Sequence, residues 1–318
     1  MSEGGGVPPV VAVVIPYYQR DTGLLHRAVT SALAQDGVDV RVFVVDDGSP
    51  CPAAEALAAV SSLAVSSAAV TIIRQANAGP GAARNRGLAA IPDEIEYVAF
   101  LDSDDSWVPE HLARAVSMFS AGADLYFSDY VPLHSERSTF DLCGFLDRPA
   151  ELVGDELYVC GGDLFEPLFR RSPVGTSTVV FRRSIADRGF PTDFSYGEDV
   201  FFWMHLARNA TNVAFSTRCE AIYGAGLNIA ASASWGSPTI LKKLHSEYRF
   251  HRAAVRSFPM SGDLLAWSRA YRGGVYRSFR ANFLHLLRRG DPVNWRHAAE
   301  MVAMEARRRL FERDIAGQ

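Results

Sequence analysis

Three carboxylates fall within four residues, Asp102, Asp104 and Asp105, in the run Phe100-Leu101-Asp102-Ser103-Asp104-Asp105, directly after a short apolar stretch. Charges of one sign held this close repel, and burial would raise their pKa values or cost stability. A divalent cation resolves the conflict. Hard carboxylate oxygens suit Mg²⁺ or Mn²⁺, and Mg²⁺ commonly takes one or two carboxylates together with the phosphates of a substrate. A helix cap is the plainer explanation for an acid here, since a proline-led segment begins at Pro109, but capping accounts for one of them and not for three.

Three further groups have types and spacing suited to chemistry. Asp46-Asp47-Gly48-Ser49 follows Val40–Val45, where an acid can accept a hydrogen bond from a base or ribose; the same residues also make an ordinary strand-to-helix turn. Gly79-Pro80-Gly81 precedes Arg84-Asn85-Arg86-Gly87, and flexible glycines beside two arginines suit the phosphates or ribose of a nucleotide. Solvent-facing arginines at a helix start are the other reading. Arg84 stands where a dinucleotide fingerprint needs its third small residue, and no P-loop pattern occurs. Finally, Gly197-Glu198-Asp199 opens an aromatic stretch, Phe201-Phe202-Trp203. Acids at a helix start gain about 0.3–1 kcal/mol from the helix dipole. A carboxylate partly desolvated by aromatics can equally serve as a general base, an effect of about 10²–10⁴ in rate.

Positioning these residues requires a scaffold, and the apolar pattern supplies one. Val10–Ile15, Val40–Val45, Val70–Arg74 and Tyr97–Leu101 read as strands, the first two continuous enough to be buried on both faces. Helical patterns over Thr22–Gln35, Pro52–Ser67, Gly81–Ala90 and Pro109–Ser120 alternate with them, which predicts a parallel α/β sheet covered on both faces. In such sheets ligands bind beyond the carboxyl ends of the strands, and three of the four strands end there in Tyr17-Tyr18, Asp46-Asp47 and the cluster from Asp102. Beyond residue 122 the alternation breaks: Asp124–Val131, Thr178–Arg182 and Asn212–Phe215 read as strands and Asp199–Asn209 as a helix. From about 239 to 312 the pattern is helical, interrupted near Pro259–Gly262 and Gly290–Pro292.

Taken together, these segments resemble the family 2 glycosyltransferases. The resemblance rests on Val-Ile-Pro-Tyr-Tyr at 14–18, Val-Asp-Asp-Gly-Ser at 45–49, Gly-Pro-Gly-Ala-Ala-Arg-Asn-Arg-Gly at 79–87, Leu-Asp-Ser-Asp-Asp at 101–105 and Gly-Glu-Asp at 197–199, in that order. It implies an α/β GT-A fold, a Rossmann-like, mainly parallel sheet flanked by helices. The catalytic domain would be 1–240, with a nucleotide-sugar half at about 9–122 and an acceptor half at about 123–240, and 241–318 an Arg-rich helical C-terminal extension.

The resemblance further implies a metal-dependent inverting transfer from a nucleoside-diphosphate sugar, most often a UDP-sugar, to a hydroxyl acceptor that is a carbohydrate or lipid-linked. Pro16 and Tyr18 would line the nucleobase pocket, with Asp47 or Asp46 accepting from the base. Arg84, Asp102 and Ser103 would contact the donor, Asp104 and Asp102 the Mn²⁺ or Mg²⁺, and Asp199 would be the base with Glu198 as its substitute. His245 is the nearest candidate for a histidine ligand after the base, although its surroundings look like an ordinary helix. The membrane helices and Gln/Arg-x-x-Arg-Trp motif of processive synthases are missing, which favours single addition in polysaccharide or glycoconjugate synthesis. The competing readings are a nucleotide-binding subunit without catalysis and a sugar nucleotidyltransferase. Intact Asp102, Asp104 and Asp199 argue against the first, and Pro16-Tyr17-Tyr18-Gln19 is not the signature loop of the second.

Composition bounds these readings. With 318 residues and 48% apolar side chains the chain can bury a sizeable core, and disorder and small disulfide scaffolds are excluded. Four dispersed cysteines read as free thiols. No signal-like or membrane-spanning run is evident, so the expectation is a cytoplasmic protein. The net charge of −4 argues against a nucleic-acid partner and hides an uneven spread. Residues 1–248 hold 18 basic and 30 acidic groups, whereas 249–318 hold 14 arginines and 6 acids. The basic helices read as packing on the domain or on a homodimer partner; the sharper reading is peripheral contact with anionic lipid on the inner face of the plasma membrane.

Overall fold

A computed structural model describes residues 7–20, 23–58, 69–193, 196–224 and 233–316. These residues divide into two compact units, one running to Thr192 and resuming over 199–224, the other formed by the short stretch at 193–198 and the residues from 233 onward. The latter part of the expected helix over Pro52–Ser67 lies outside the described residues.

The first unit opens with the expected alternation: β1 (Val10–Tyr17), α1 (Gly23–Leu33), β2 (Asp39–Asp46), α2 (Ala53–Ala58), β3 (Val70–Arg74), α3 (Pro80–Leu88) and β4 (Tyr97–Phe100). The chain continues through β5 (Ser106–Trp107), α4 (His111–Ser120), β6 (Leu125–Asp129), α5 (Thr139–Cys143), β7 (Ala150–Gly154), β8 (Leu157–Cys160), α6 (Phe165–Arg171), β9 (Val180–Arg182), α7 (Glu198–Asn209), β10 (Val213–Cys219) and β11 (Ala221–Ile222). Nine strands form one mixed sheet in the order β3-β2-β1-β4-β9-β6-β10-β8-β7, all but β8 and β9 running the same way. The two remaining strands, β5 and β11, pair antiparallel beside it.

The β-branched run of β1 sits between β2 and β4, and Val11 to Ile15 are wholly buried, as a strand covered on both faces must be. Strand β3 pairs with β2 and leaves Ile72 exposed, so it forms an edge. The β7–β8 hairpin is not among the expected strands; its residues do not alternate apolar with polar, β7 is exposed throughout and β8 is half-buried. Where one strand over Thr178–Arg182 is expected, Thr176–Thr178 turns as a 3-10 helix and β9 begins at Val180. That turn bears on the site. Helix α3 lies directly on β1: a Cβ added at Gly87 would come within 2.3 Å of Val14 Cγ1.

The second unit consists of α8 (Pro238–Ser257), α9 (Gly262–Arg289) and α10 (Trp295–Ala316). The breaks fall where Pro259–Gly262 and Gly290–Pro292 place them. Ser261 Oγ accepts from Leu264 N at 3.3 Å to cap α9, and Gly290 ends it with a left-handed φ of 75°. Leu241, Leu244, Tyr248, Val275, Phe279 and Leu286 form its core with Met301 and Met304 of α10. Two histidines of α8 are buried with it. Burial pushes His251, against Trp267 and Tyr271 and near Arg272, down to about 3. Burial, with His297 stacked on it, lowers His245 to about 4 even though Glu300 lies 2.9 Å from its Nε2.

Two predictions follow from this packing. Gly87→Ala is expected to cost about 1–3 kcal/mol in urea unfolding, and adding Val14→Ala should make the double variant more stable than the two single losses combined; simple additivity would mean that α3 does not bear on β1 at this point. Histidines held neutral in the fold contribute stability that is full above their unfolded value near 6.5. It is lost as pH falls toward 4, by at most about 1.4 kcal/mol per pH unit for each group. The melting temperature should therefore drop between pH 7 and pH 4.5, and a His245→Gln/His251→Gln variant should show a shallower drop.

Candidate active site

The carboxyl ends of β1, β2 and β4 bring the sequence-selected residues of the first unit to one edge of the sheet. At the end of β2 the two acids serve the loops. Asp46 Oδ1 accepts from Ser49 N (2.8 Å) and Oδ2 from Ala53 N (3.0 Å), so this buried carboxylate shapes the turn into α2. Asp47 Oδ1 accepts from Gln75 Nε2 and Ala78 N, and its Oδ2 from Gly79 N, each at 2.8 Å. Asp47 thus fixes the loop that leads into α3. Gly48 sits at a φ of 67°, where a Cβ would press on Asn77 N at 3.0 Å. An ionised carboxylate offers about four acceptor positions, so Asp47 retains capacity beyond these three donors.

Helix α3 delivers Arg84 to the acidic cluster. Its Nη2 donates to Asp102 Oδ1 at 2.8 Å, and its guanidinium lies over the Phe190 ring, 5.4 Å from the centroid. Asn85 holds that ring in place: its Oδ1 accepts from Phe190 N at 2.7 Å and its Nδ2 donates to Phe190 O at 2.8 Å. Pro16 is half-buried on β1 beside Val45, and Tyr18 is exposed. Ser103 is buried, with its Oγ accepting from Gln19 Nε2 at 3.2 Å. Gln19 N in turn donates to Ser49 Oγ at 2.8 Å, which ties the ends of β1, β2 and β4 together.

The three acids after β4 receive different treatment. Asp102 is half-buried against Arg84. Asp104 is also half-buried, and its main-chain carbonyl accepts from the Arg27 guanidinium of α1. Asp105 is buried: Oδ2 accepts from Ser177 Oγ at 2.6 Å and Oδ1 from Gly224 N at 2.9 Å. Burial pushes Asp105 up to about 7, and the nearby charges of Asp102 and Asp104 add to this against the hydrogen bonds of Ser177 and Gly224. Ser177 Oγ also accepts from Asp102 N at 3.0 Å, and its carbonyl accepts from Trp107 Nε1 at 2.5 Å.

Thr176, adjacent to Ser177 in the 3-10 turn, donates through Oγ1 to Asp199 Oδ2 at 3.3 Å. Asp199 Oδ1 accepts from Val200 N at 2.8 Å, at the start of α7. One short turn therefore touches both the acidic cluster and the candidate base. Glu198 is buried as the first residue of α7. His245 belongs to the second unit, where Glu300 and His297 are its neighbours. Among the described residues no group of three or more His, Cys, Asp or Glu side chains is arranged to hold an ion. Asp102 and Asp104 nonetheless fit a magnesium-type ion, which takes one or two carboxylates and completes its shell from water and substrate phosphates.

Sequence reasoning passed over Gln19, Arg27, Thr176 and Ser177. The one available signal was Gly175-Thr176-Ser177-Thr178, a polar run entering a buried strand. Nothing local marks Arg27, which lies 77 positions from its partner.

A mixed sheet with acids gathered at the carboxyl ends of its strands and helices on both faces is the GT-A arrangement of nucleotide-sugar transferases. A family model described as Glycosyl transferase family 2 matches residues 12–138. The succinoglycan biosynthesis protein ExoW of Rhizobium meliloti is 34% identical over 282 residues, covering 82% of this chain and 88% of that protein. The chain belongs to the family 2 glycosyltransferases, and it is a glycosyltransferase enzyme. Among solved structures, S. aureus TarS in complex with UDP-GlcNAc superposes with a TM-score of 0.57 at 18% identity, over 87% of this chain and 72% of that one. The mannosyltransferase PcManGT of Pyrobaculum calidifontis, in complex with GDP-Man and Mn²⁺, gives 0.59 at 16% identity, over 95% and 81%. At these identities the likeness concerns the fold.

Ser177→Ala removes the donor to buried Asp105 and the acceptor for the Asp102 amide. It is expected to cost about 1–3 kcal/mol in urea unfolding and to lower sugar transfer. A variant as stable and active as the parent would show that the acidic turn holds without Ser177.

Proposed function

We propose that this enzyme moves a sugar from a nucleoside-diphosphate sugar, a UDP-sugar, onto a hydroxyl of a carbohydrate or lipid-linked acceptor, with inversion, in the assembly of a polysaccharide. The observation that carries this reading is the turn of Thr176 and Ser177, which reaches Asp199 on one side and the Asp102–Asp105 segment on the other. It supports a carboxylate base working opposite a phosphate-binding acidic pair. ExoW's role in succinoglycan biosynthesis supports the polysaccharide assignment, and TarS with UDP-GlcNAc supports the uridine donor.

In this proposal the first unit carries the chemistry. Pro16, Tyr18 and Asp47 border the nucleobase, while Asp46 keeps their turn in shape. Asp102 and Asp104 would hold Mn²⁺ or Mg²⁺, which when bound supplies positive charge for the departing diphosphate. Arg84 orients Asp102 and adds charge near the donor. Asp199 accepts the proton of the acceptor hydroxyl as that oxygen bonds to the anomeric carbon; the bond from that carbon to the diphosphate oxygen breaks, and its electron pair leaves with the diphosphate. Attack and departure on opposite faces invert the centre, as in inverting hydrolases, where the nucleophile is water. Glu198 is the neighbouring acid.

Purified protein with Mn²⁺ should bind UDP and gain thermal stability, by about 2.7 kcal/mol when UDP is at a hundred times its Kd. Asp104→Ala should lose the metal-dependent part of that gain. Asp199→Asn should keep it while losing about 10²–10⁴ in transfer. Transfer at the parent rate by Asp199→Asn would overturn the base assignment. Binding of UDP without turnover of any UDP-sugar, in the parent, would favour the subunit without catalysis.

A further inference from the structure

The second unit presents an apolar face outside the residues to which the proposed transfer is assigned. On α10, Trp295, Ala299, Val302 and Ala306 recur at helical spacing along one side, with Trp295 64% and Val302 56% exposed. Phe283 of α9 meets Trp295 edge-on, with ring centroids 5.2 Å apart, and a groove of about 520 Å³ lies along these side chains. Leu284, 44% exposed, and Leu287 extend the apolar surface on α9.

Exposed guanidinium groups accompany this surface: Arg280 and Arg288 on α9, Arg296 and Arg307 on α10. Helix α9 as a whole holds six arginines and one acid, Asp263, at its first turn. Two acids of α10 are engaged by arginines of the same helix, Glu300 with Arg296 at 3.0 Å and buried Glu305 with Arg308 at 2.6 Å. The face therefore combines exposed apolar side chains with exposed arginines, of which Arg296 is paired with Glu300.

We propose that this face of α9 and α10 docks on an anionic lipid surface, its Trp, Val and Leu side chains entering the headgroup region while the arginines meet lipid phosphates. Amphipathic helices bind in this way, with attraction to anionic lipid added to apolar burial. No helix among the described residues is long and apolar enough to cross a membrane, so the contact is with the surface. Two other occupants suit the face less well. A second copy laid on it would set arginines against arginines, because a two-fold contact uses the same patch twice. A polyanion in water would engage the arginines but has no use for an exposed indole beside valine and leucine.

The test is co-sedimentation of the full chain with vesicles of phosphatidylcholine alone or mixed with phosphatidylglycerol, at low and high salt. Binding is expected to the mixed vesicles at low salt, with loss at high salt and on pure phosphatidylcholine. Arg280→Glu/Arg288→Glu should lower affinity about tenfold or more. Val302→Glu should weaken binding comparably with an unchanged melting temperature and unchanged sugar transfer, which separates this proposal from the reading of the active site. Absence of binding to the mixed vesicles at low salt would overturn it. So would binding indifferent to Val302→Glu, a dimer abolished by that substitution without any vesicle binding, or retention on a sulfated polysaccharide alone.

Discussion

Like-charge repulsion among Asp102, Asp104 and Asp105 is the constraint around which the first unit is organised. Four residues at one strand end cannot settle three carboxylates among themselves, so the partners come from elsewhere: Arg27 from α1, Arg84 from α3, Ser177 from the turn before β9 and Gly224 from beyond β11. Each acid ends in a different state. Asp105 is sunk into hydrogen bonds, Asp102 is neutralised by an arginine, and Asp104 stays half-buried with its carbonyl tethered. The environments, rather than the residue types, separate a structural acid from two that remain suited to a ligand.

The same economy appears one strand over. Asp46 and Asp47 accept from five donors between them, four of which are main-chain amides of loops. Unpaired amides at buried loop ends would each cost free energy, and these carboxylates satisfy them while fixing where α2 and α3 begin. Arg84 then arrives with its position already set, braced by Phe190 and Asn85. A ligand site built this way asks little reorganisation of the protein when charge develops.

The second unit solves a different problem. Three helices cannot hide all their apolar surface in one small core, and α9 and α10 leave part of it outward among arginines. Its buried histidines are kept neutral by the packing around them. His245 is the instructive residue: as a sequence feature it is a candidate ligand, whereas in the fold Glu300 and His297 occupy its surroundings.

The amino-acid order alone determined the strands β1 to β4, the helices that alternate with them, the breaks at Pro259–Gly262 and Gly290–Pro292, and the acids at the strand ends. All of these are written in neighbours along the chain, as β-branched runs, helical spacing, proline and glycine. Which acid serves which purpose was decided by the tertiary structure. Asp46 and Asp47 look alike in sequence, yet one shapes the turn into α2 and the other the loop into α3. Thr176 and Ser177, an unremarkable polar pair, join Asp199 to the acidic turn over 23 and 72 positions. Gly87 is needed because Val14 lies beneath it. Contacts of that separation leave no local pattern, since what selects the residue is a partner that only folding brings near.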